Sequence, residues 1–347
     1  MIRNTSPSPN KGQRNSSIEL YRIIASFTVL IVHFNGWFVE MPDKFDVSNP
    51  TLFRTGQMVI EAATCICVNM FLLISGYFGI RLRLQSVLKL CLLLAFIYVP
   101  FYIVESIAEG TFLMKALASR FLVISAAGYF IQGYFMLMFF SPMLNAFIEK
   151  FGKQTLPWTL LFLTIEFWFG CVRDIDNFGF NHGYSVIHFV LMYMVARCIA
   201  LYKDTLMSVP RYCWICGYMV CTCLICAMYV MGLQCTFDYS NPIVVLSSVC
   251  SFVPFLYKEY HNRFINWIAG GTLAVYIIQV TNPVMNILIS TDKYLLGTYS
   301  YPVYLLLAAG VIIVTFIISV LYHHVCTFMI NPMMQVIEPK VKDIKMM

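Results

Sequence analysis

The stretch SIELYRIIASFTVLIVHFNGWF (17–38) decides how the rest of the chain is read. It is apolar for about the 20 residues that a helix needs to cross the hydrocarbon of a bilayer. Yet it carries an arginine, Arg22, and a histidine, His33. Comparable apolar windows recur at about 56–80, 86–104, 128–148, 155–172, 183–201, 211–231, 241–257, 268–289 and 301–325. The 347 residues are 60% hydrophobic and only 12% charged, with a mean hydropathy of +0.75. That is about half the charge of a soluble domain, too little polar surface to cover a water-facing fold. Composition therefore excludes a soluble enzyme and a disordered chain. A β-barrel would alternate polar and apolar residues, and these runs do not. The expectation is an all-α polytopic membrane protein of about ten transmembrane helices.

The basic residues give the chain a direction. With the amino terminus in the cytoplasm, sixteen Lys and Arg fall on inside segments and six on outside ones. That bias fits both termini inside, and it accounts for the net charge of +6 without nucleic acid. Residues 1–15 read as a disordered cytoplasmic tail rather than a cleavable signal. Residues 16–330 read as one transmembrane domain and 331–347 as a second cytoplasmic tail. Ser16 followed by Glu19 has the spacing of a capping box at the first helix. The segment 111–125 is too charged to span and reads as an amphipathic surface stretch.

Ionisable groups inside a membrane are costly, so each is a candidate for function. Arg22 and His33 are 11 residues apart, which returns them to within about 20° of one helix face, displaced by about 16 Å. The expectation is a polar cavity through the bundle, with the guanidinium at its cytoplasmic mouth and the imidazole in its outer half. Ser75, Arg81, Arg83, Lys89 and Arg197 sort to the cytoplasmic side; Glu61, Tyr129, Gln132, His182, His188 and Asn282 sort to the outer side; Gln279 lies near mid-membrane. Basic groups at the inner mouth suit a phosphate-bearing ligand. Thirteen cysteines lie mostly within apolar runs, where they pack as small hydrophobes. The C-x-x-C pairs Cys213/Cys216 and Cys223/Cys226 lack the polar shell of a zinc or redox site. No metal site is expected, since the histidines show no spacing such as H-x-x-x-H.

At these residues the chain resembles the bacterial integral-membrane acyltransferases of acyltransferase family three, which O-acylate surface polysaccharides, lipid-linked glycans and other acceptors. The likeness rests on four patterns in order: the Arg22 to His33 spacing; CVNMFLLISGYFGIR (67–81), an apolar second helix ending in Ser-Gly-Tyr before basic residues; GYFIQGYFMLMFFSPMLNAFI (128–148), with its late Pro-x-Leu-Asn; and GYSVIHFVLMYMVARCI (183–199) with TLAVYIIQVTNP (272–283) in the penultimate-helix position. Two positions depart from it: Tyr129 stands where members often carry Trp, and Gln279 where they often carry His.

The resemblance implies transfer of an acyl group, most simply acetyl, from cytoplasmic acyl-CoA to a glycan hydroxyl, in the bacterial inner membrane. Acyl-CoA (acetyl-CoA) is then a co-substrate, not a resident cofactor. Its phosphates would meet Arg22 and Arg81, with Ser75 beside the donor tunnel. His33 would act as catalytic base. Glu61, Tyr129, Gln132, His188, Gln279 and Asn282 would serve the acceptor side. The rival readings are a glycan transporter, which needs similar polar residues but consumes no acyl-CoA, and a non-catalytic subunit of the same fold.

Overall fold

A computed structural model describes residues 14–121, 128–175 and 178–341. Most of the amino-terminal tail and the last six residues lie outside it, as does the end of the 111–125 stretch. Among the described residues all regular structure is helical, with no strand. The helices are α1 (Ser16–Val32), α2 (Leu52–Thr64), α3 (Cys67–Phe78), α4 (Leu84–Glu109), α5 (Met114–Phe121), α6 (Tyr129–Phe151), α7 (Thr155–Phe167), α8 (Val186–Leu201), α9 (Lys203–Ser208), α10 (Arg211–Val230), α11 (Pro242–Phe252), α12 (Arg263–Gly270), α13 (Thr272–Gln279), α14 (Asn282–Thr298) and α15 (Tyr301–Val341).

Six helical stretches among the described residues are long and apolar enough to cross a membrane, or seven if a pair bent by 80° counts as one span. Length and hydropathy alone do not confirm the count of about ten. Two of the ten windows fall on shorter apolar helices, Val186–Leu201 and Pro242–Leu256. The windows 128–148 and 155–172 fall in a single candidate stretch, Tyr129–Val172, although α6 ends before Gly152, with φ +52°, and a 3-10 turn at Gly152–Gln154 separates it from α7. The bent pair is Arg263–Gln279 with Asn282–Thr298. It breaks where Pro283 enters the first turn of α14, a position at which proline starts a helix but cannot continue one. At the other end, α15 runs on past residue 330 to Val341, through what reads as a tail.

Helix starts follow local chemistry. The Asn15 carboxamide accepts from the Ser17 amide at 3.0 Å and caps α1, one residue earlier than the Ser16–Glu19 capping box predicts. Ser16 is drawn away by tertiary partners: its hydroxyl donates to Asn266 Oδ1 at 2.7 Å. Thr51, Ser185 and Asn241 cap α2, α8 and α11 in the same way.

A helix that is apolar all round belongs at the centre. Helix α3 is such a helix: Cys67, Val68, Met70, Leu72, Leu73 and Ile74 are all buried. It packs against α1, α8 and α11. The outer helices reverse the pattern, exposing Phe139, Met143, Leu161, Phe162, Leu306 and Phe328, the surface that hydrocarbon accepts. Gly76 sets the approach of α3 to α8, because a Cβ there would stand 2.6 Å from Ala196 Cβ and 2.9 Å from the Tyr193 carbonyl oxygen. Gly76→Ala is expected to destabilise the bundle by about 1–3 kcal/mol through overpacking, read as a lower thermal midpoint in detergent. A second change, Ala196→Gly, should recover part of the loss.

The Ser-Gly-Tyr motif ends at Gly79, whose φ of +75° turns the chain out of α3. A closed ring of hydrogen bonds braces that turn. The Ile80 amide donates to the Tyr193 hydroxyl at 3.0 Å, the hydroxyl donates to Asn145 Oδ1 at 2.7 Å, and Asn145 Nδ2 donates to the Ile80 carbonyl at 2.9 Å. Two sequence patterns, Ser-Gly-Tyr and Pro-x-Leu-Asn, thus share one physical purpose.

Candidate active site: two chambers with a shared histidine

Beyond Val32, α1 widens into a π-helical turn, His33–Trp37, closed by the Phe38 amide donating to the His33 carbonyl at 2.8 Å. Such turns cluster at functional sites. Here it presents His33 and Trp37 to two cavities at once. The first cavity, of about 340 Å³, is walled by Val29, Trp37, Tyr98, Tyr102, Tyr129 and Tyr276 and contains Glu105, Arg120 and Asn282. The second, of about 1070 Å³, is more polar: Glu40, Asp43, Lys44, Glu61, Asp174 and His182 line it with Tyr184 and Tyr239. His33, Trp37, Tyr129 and Tyr239 belong to both. They form the wall between the two chambers.

The His33 ring is held from behind. Its Nδ1 lies 3.1 Å from Gln279 Oε1, at the break between α13 and α14. An amide oxygen accepts only, so Nδ1 carries the proton and donates, which leaves Nε2 as the basic nitrogen. Trp37 meets the ring edge-on at 4.8 Å. Gln279 is fully buried and is not itself in a cavity wall. It orients the imidazole where a second histidine would have added a second titration.

Glu61 reaches the same turn from α2. Asn35 Nδ2 donates to Glu61 Oε2 at 2.8 Å and to the Gln57 carbonyl at 2.9 Å. Gly36 makes room for the carboxylate, since a Cβ there would lie 2.8 Å from Oε2. Across the larger chamber three tyrosines follow one another, Tyr129 to Tyr184 at 5.0 Å and Tyr184 to Tyr239 at 4.8 Å between ring centroids. Burial holds the Tyr239 phenol well above its ordinary value, so it stays a neutral donor and acceptor.

The remaining predicted residues fall elsewhere. Asn282 lines the smaller chamber and donates to Glu105 Oε1 at 2.5 Å. Gln132 is exposed on α6, one turn beyond Tyr129, and lines neither chamber. His188 is fully buried away from both, with Nδ1 3.1 Å from Glu166 Oε2 and Nε2 2.8 Å from Asn69 Oδ1. Arg22 pairs with Glu19 at 3.5 Å. Neither chamber reaches it: Val29 floors the smaller one, and Ala25 and Ser26 fill the face below. Neither of these two chambers thus continues the polar passage expected from the Arg22–His33 spacing down to Arg22. Ser75 is half-buried next to Gly76, and Arg81 is exposed just past the Gly79 turn. Both share the Arg22 end of the bundle, which the ring contacts Tyr21–Phe252 and Phe252–Tyr77 tie together.

Sequence reasoning missed Trp37, Gly36, Glu105, Arg120, Tyr184, Tyr239 and Tyr276. The HFNGW run, polar and small residues ending an apolar helix, is the signal that could have found the first two. The others come from α4, α5, α13 and the loops before α8 and α11, and no spacing in the sequence links them.

The family model described as an acyltransferase domain matches residues 15–324, a range that takes in the π-helical turn, both helices beside it and the two chambers. The chain belongs to acyltransferase family 3 and is a membrane acyltransferase. No match was found among curated proteins or among solved structures.

Proposed function

We propose that the protein moves an acyl group, most simply acetyl, from acyl-CoA to a hydroxyl of a surface or lipid-linked glycan. The observation that supports this most is His33 standing in the wall that both chambers share. The smaller, aromatic chamber suits the acyl thioester. The larger one, with carboxylates and tyrosine faces, suits a sugar, which binds by hydroxyl hydrogen bonds and ring stacking. A sugar hydroxyl is a weak nucleophile at neutral pH, so a positioned base contributes. His33 Nε2 takes the hydroxyl proton as the oxygen attacks the thioester carbonyl. The carbon–sulfur bond then breaks, and the proton passes from the imidazole to the departing thiolate. Glu61 and the tyrosines hold the acceptor; Asn282 and the amino-terminal end of α14 flank the carbonyl.

We place the Arg22 end in the cytoplasm of a bacterial inner membrane, on the sixteen-to-six bias of basic residues. The phosphates of the donor meet Arg22 and Arg81 there, and its arm parts the small residues Ala25 and Ser26 to reach Val29. Arg22→Gln made together with Glu19→Gln, which avoids stranding a buried carboxylate, is expected to raise the donor KM by about tenfold or more. That is the loss of a charge-assisted hydrogen bond. Glu19→Gln alone should lower the donor KM by freeing the guanidinium. A donor KM unchanged in the double variant would remove the phosphate assignment.

The function itself is tested in purified protein in lipid vesicles, by following free thiol released from acetyl-CoA with and without a glycan acceptor. Acceptor-dependent thiol release supports the reading. Acceptor movement with no thiol release would instead identify a transporter.

A further inference from the structure

Four side chains in the roof of the larger chamber play no part in the reaction above. Cys171 ends the helical stretch after α7, His182 lies in the loop before α8, and Cys235 and Asp238 lie in the loop between α10 and α11. One ligand atom from each falls within 4.8 Å of the others. We propose that Cys171, His182, Cys235 and Asp238 form a four-ligand site for a zinc-class divalent cation that pins these two loops together.

The distances carry the inference. A tetrahedral zinc with bonds of about 2.3 Å to sulfur and about 2.0–2.1 Å to nitrogen and oxygen sets its S–N and S–O edges at about 3.5 Å and its N–O edge at about 3.3 Å. The structure has Cys235 Sγ to His182 Nδ1 at 3.5 Å, Cys171 Sγ to Asp238 Oδ2 at 3.9 Å, and His182 Nδ1 to Asp238 Oδ2 at 2.9 Å. The group is close to a coordination shell: an ion would spread the His182–Asp238 pair and draw the wider pairs, all within 4.8 Å, inward.

The surroundings match a metal site as well. His182 Nε2, on the far side of the ring, lies 3.4 Å from Asp174 Oδ1, the outer carboxylate that fixes a ligating histidine's tautomer so that Nδ1 faces the metal. Ser240 Oγ stands 3.4 Å from Cys171 Sγ, placed to donate to a thiolate. Asp174, His182 and Cys235 all hold positive φ, at 47°, 54° and 56°, a conformation that non-glycine residues rarely keep without compensating contacts. The two loops cross at Gly183, where a Cβ would stand 2.7 Å from the Ser240 amide nitrogen. Two thiolates with imidazole and carboxylate select zinc over calcium or magnesium, which take oxygen ligands.

Binding Zn(II) would release the two thiol protons to solvent. Four protein ligands leave no open position, so the ion is structural. It would hold Tyr184 and Tyr239, each within two residues of a ligand, in the chamber wall. Chain spacing alone conceals the site, because its ligands come from two segments more than 50 residues apart in sequence.

The test begins with full-length protein purified in detergent without chelator. Elemental mass spectrometry should find one zinc per chain. His182→Ala and Cys235→Ser should lose it, while Cys213→Ser, outside the cluster, should keep it. Because a loop variant can misfold, the wild-type protein supplies a second measurement. After stripping with chelator, cobalt(II) should restore near-ultraviolet thiolate charge-transfer bands and visible bands of tetrahedral coordination. Three results would overturn the proposal: wild-type protein that holds no stoichiometric zinc and gives no cobalt bands, zinc retained in both cluster variants, or a non-reduced peptide map joining Cys171 to Cys235 as a disulfide. A lower affinity for the glycan in stripped protein rests further on the acceptor reading of the chamber. Its absence would count against that reading while leaving the metal result standing.

Discussion

His33→Ala is expected to lower acyl transfer by about 10²–10⁴-fold, with the protein still eluting as a folded monodisperse peak. The change removes the only imidazole that lines both chambers, while the helix that carries it is capped and packed elsewhere. The loss should fall on kcat, because the proton leaves the acceptor hydroxyl only as the new bond forms. Gln279→Ala should give a smaller loss. It leaves the His33 Nδ1 proton without its acceptor, so the ring loses its fixed tautomer but not its base. Gln279→Glu keeps an acceptor and adds a charge that favours imidazolium, so the pH–rate profile should move to higher pH. Thiol release from acetyl-CoA in vesicles measures all three. Full activity in His33→Ala would remove the base, and the mechanism with it.

His188→Ala is expected to cost about 3–5 kcal/mol of stability, the range for breaking one half of a buried charged pair. Both His188 and Glu166 are fully buried, and their side chains meet at 3.1 Å. The geometry sharpens the expectation. Asn69 Nδ2 donates to the Tyr239 carbonyl at 3.1 Å, so its oxygen is left to accept from His188 Nε2. His188 Nδ1 then faces a carboxylate oxygen, so the imidazole bridges Asn69 and Glu166. Truncating His188 strands Glu166 in the core, whereas His188→Ala with Glu166→Gln should recover much of the loss. The readout is the thermal midpoint in detergent; a midpoint equal to wild type in the single variant would contradict the pairing. The same chain of contacts runs from Glu166 through His188 and Asn69 to Tyr239 in the chamber wall. If the larger chamber takes the acceptor, as proposed above, His188 would act as a positioning residue rather than by touching it.

The legibility of the site follows from how each feature is encoded. Arg22 and His33 lie on one helix, so their shared face follows from 3.6 residues per turn, and the structure keeps both on α1. Whether that face is open or filled depends on which helices cover it; α3 and α13 both pack on α1, and Ala25 and Ser26 are buried. Glu166 has no visible partner in the sequence because its partner, His188, is 22 residues away on another helix. Ser16 is a good cap by local rules, yet it yields to Asn15 because Asn266, 250 residues on, competes for its hydroxyl. Length and apolar content do not by themselves confirm the span count for a related reason: hydropathy windows register apolar length but not helix breaks, and 16-residue α8 reads the same as a full span.

By itself the sequence determined the solvent and the class of fold, because apolar content, helix-length runs and scarce charge are properties of composition and short-range order. It also determined the family, which rests on local patterns kept in order along the chain. Only the tertiary structure decided that His33 faces two chambers, that Gln279 holds its ring, and that two distant loops bring thiols, imidazole and carboxylate together. Those facts are distances between residues far apart in the chain, and a chain's periodicity contains no term for what packs against it.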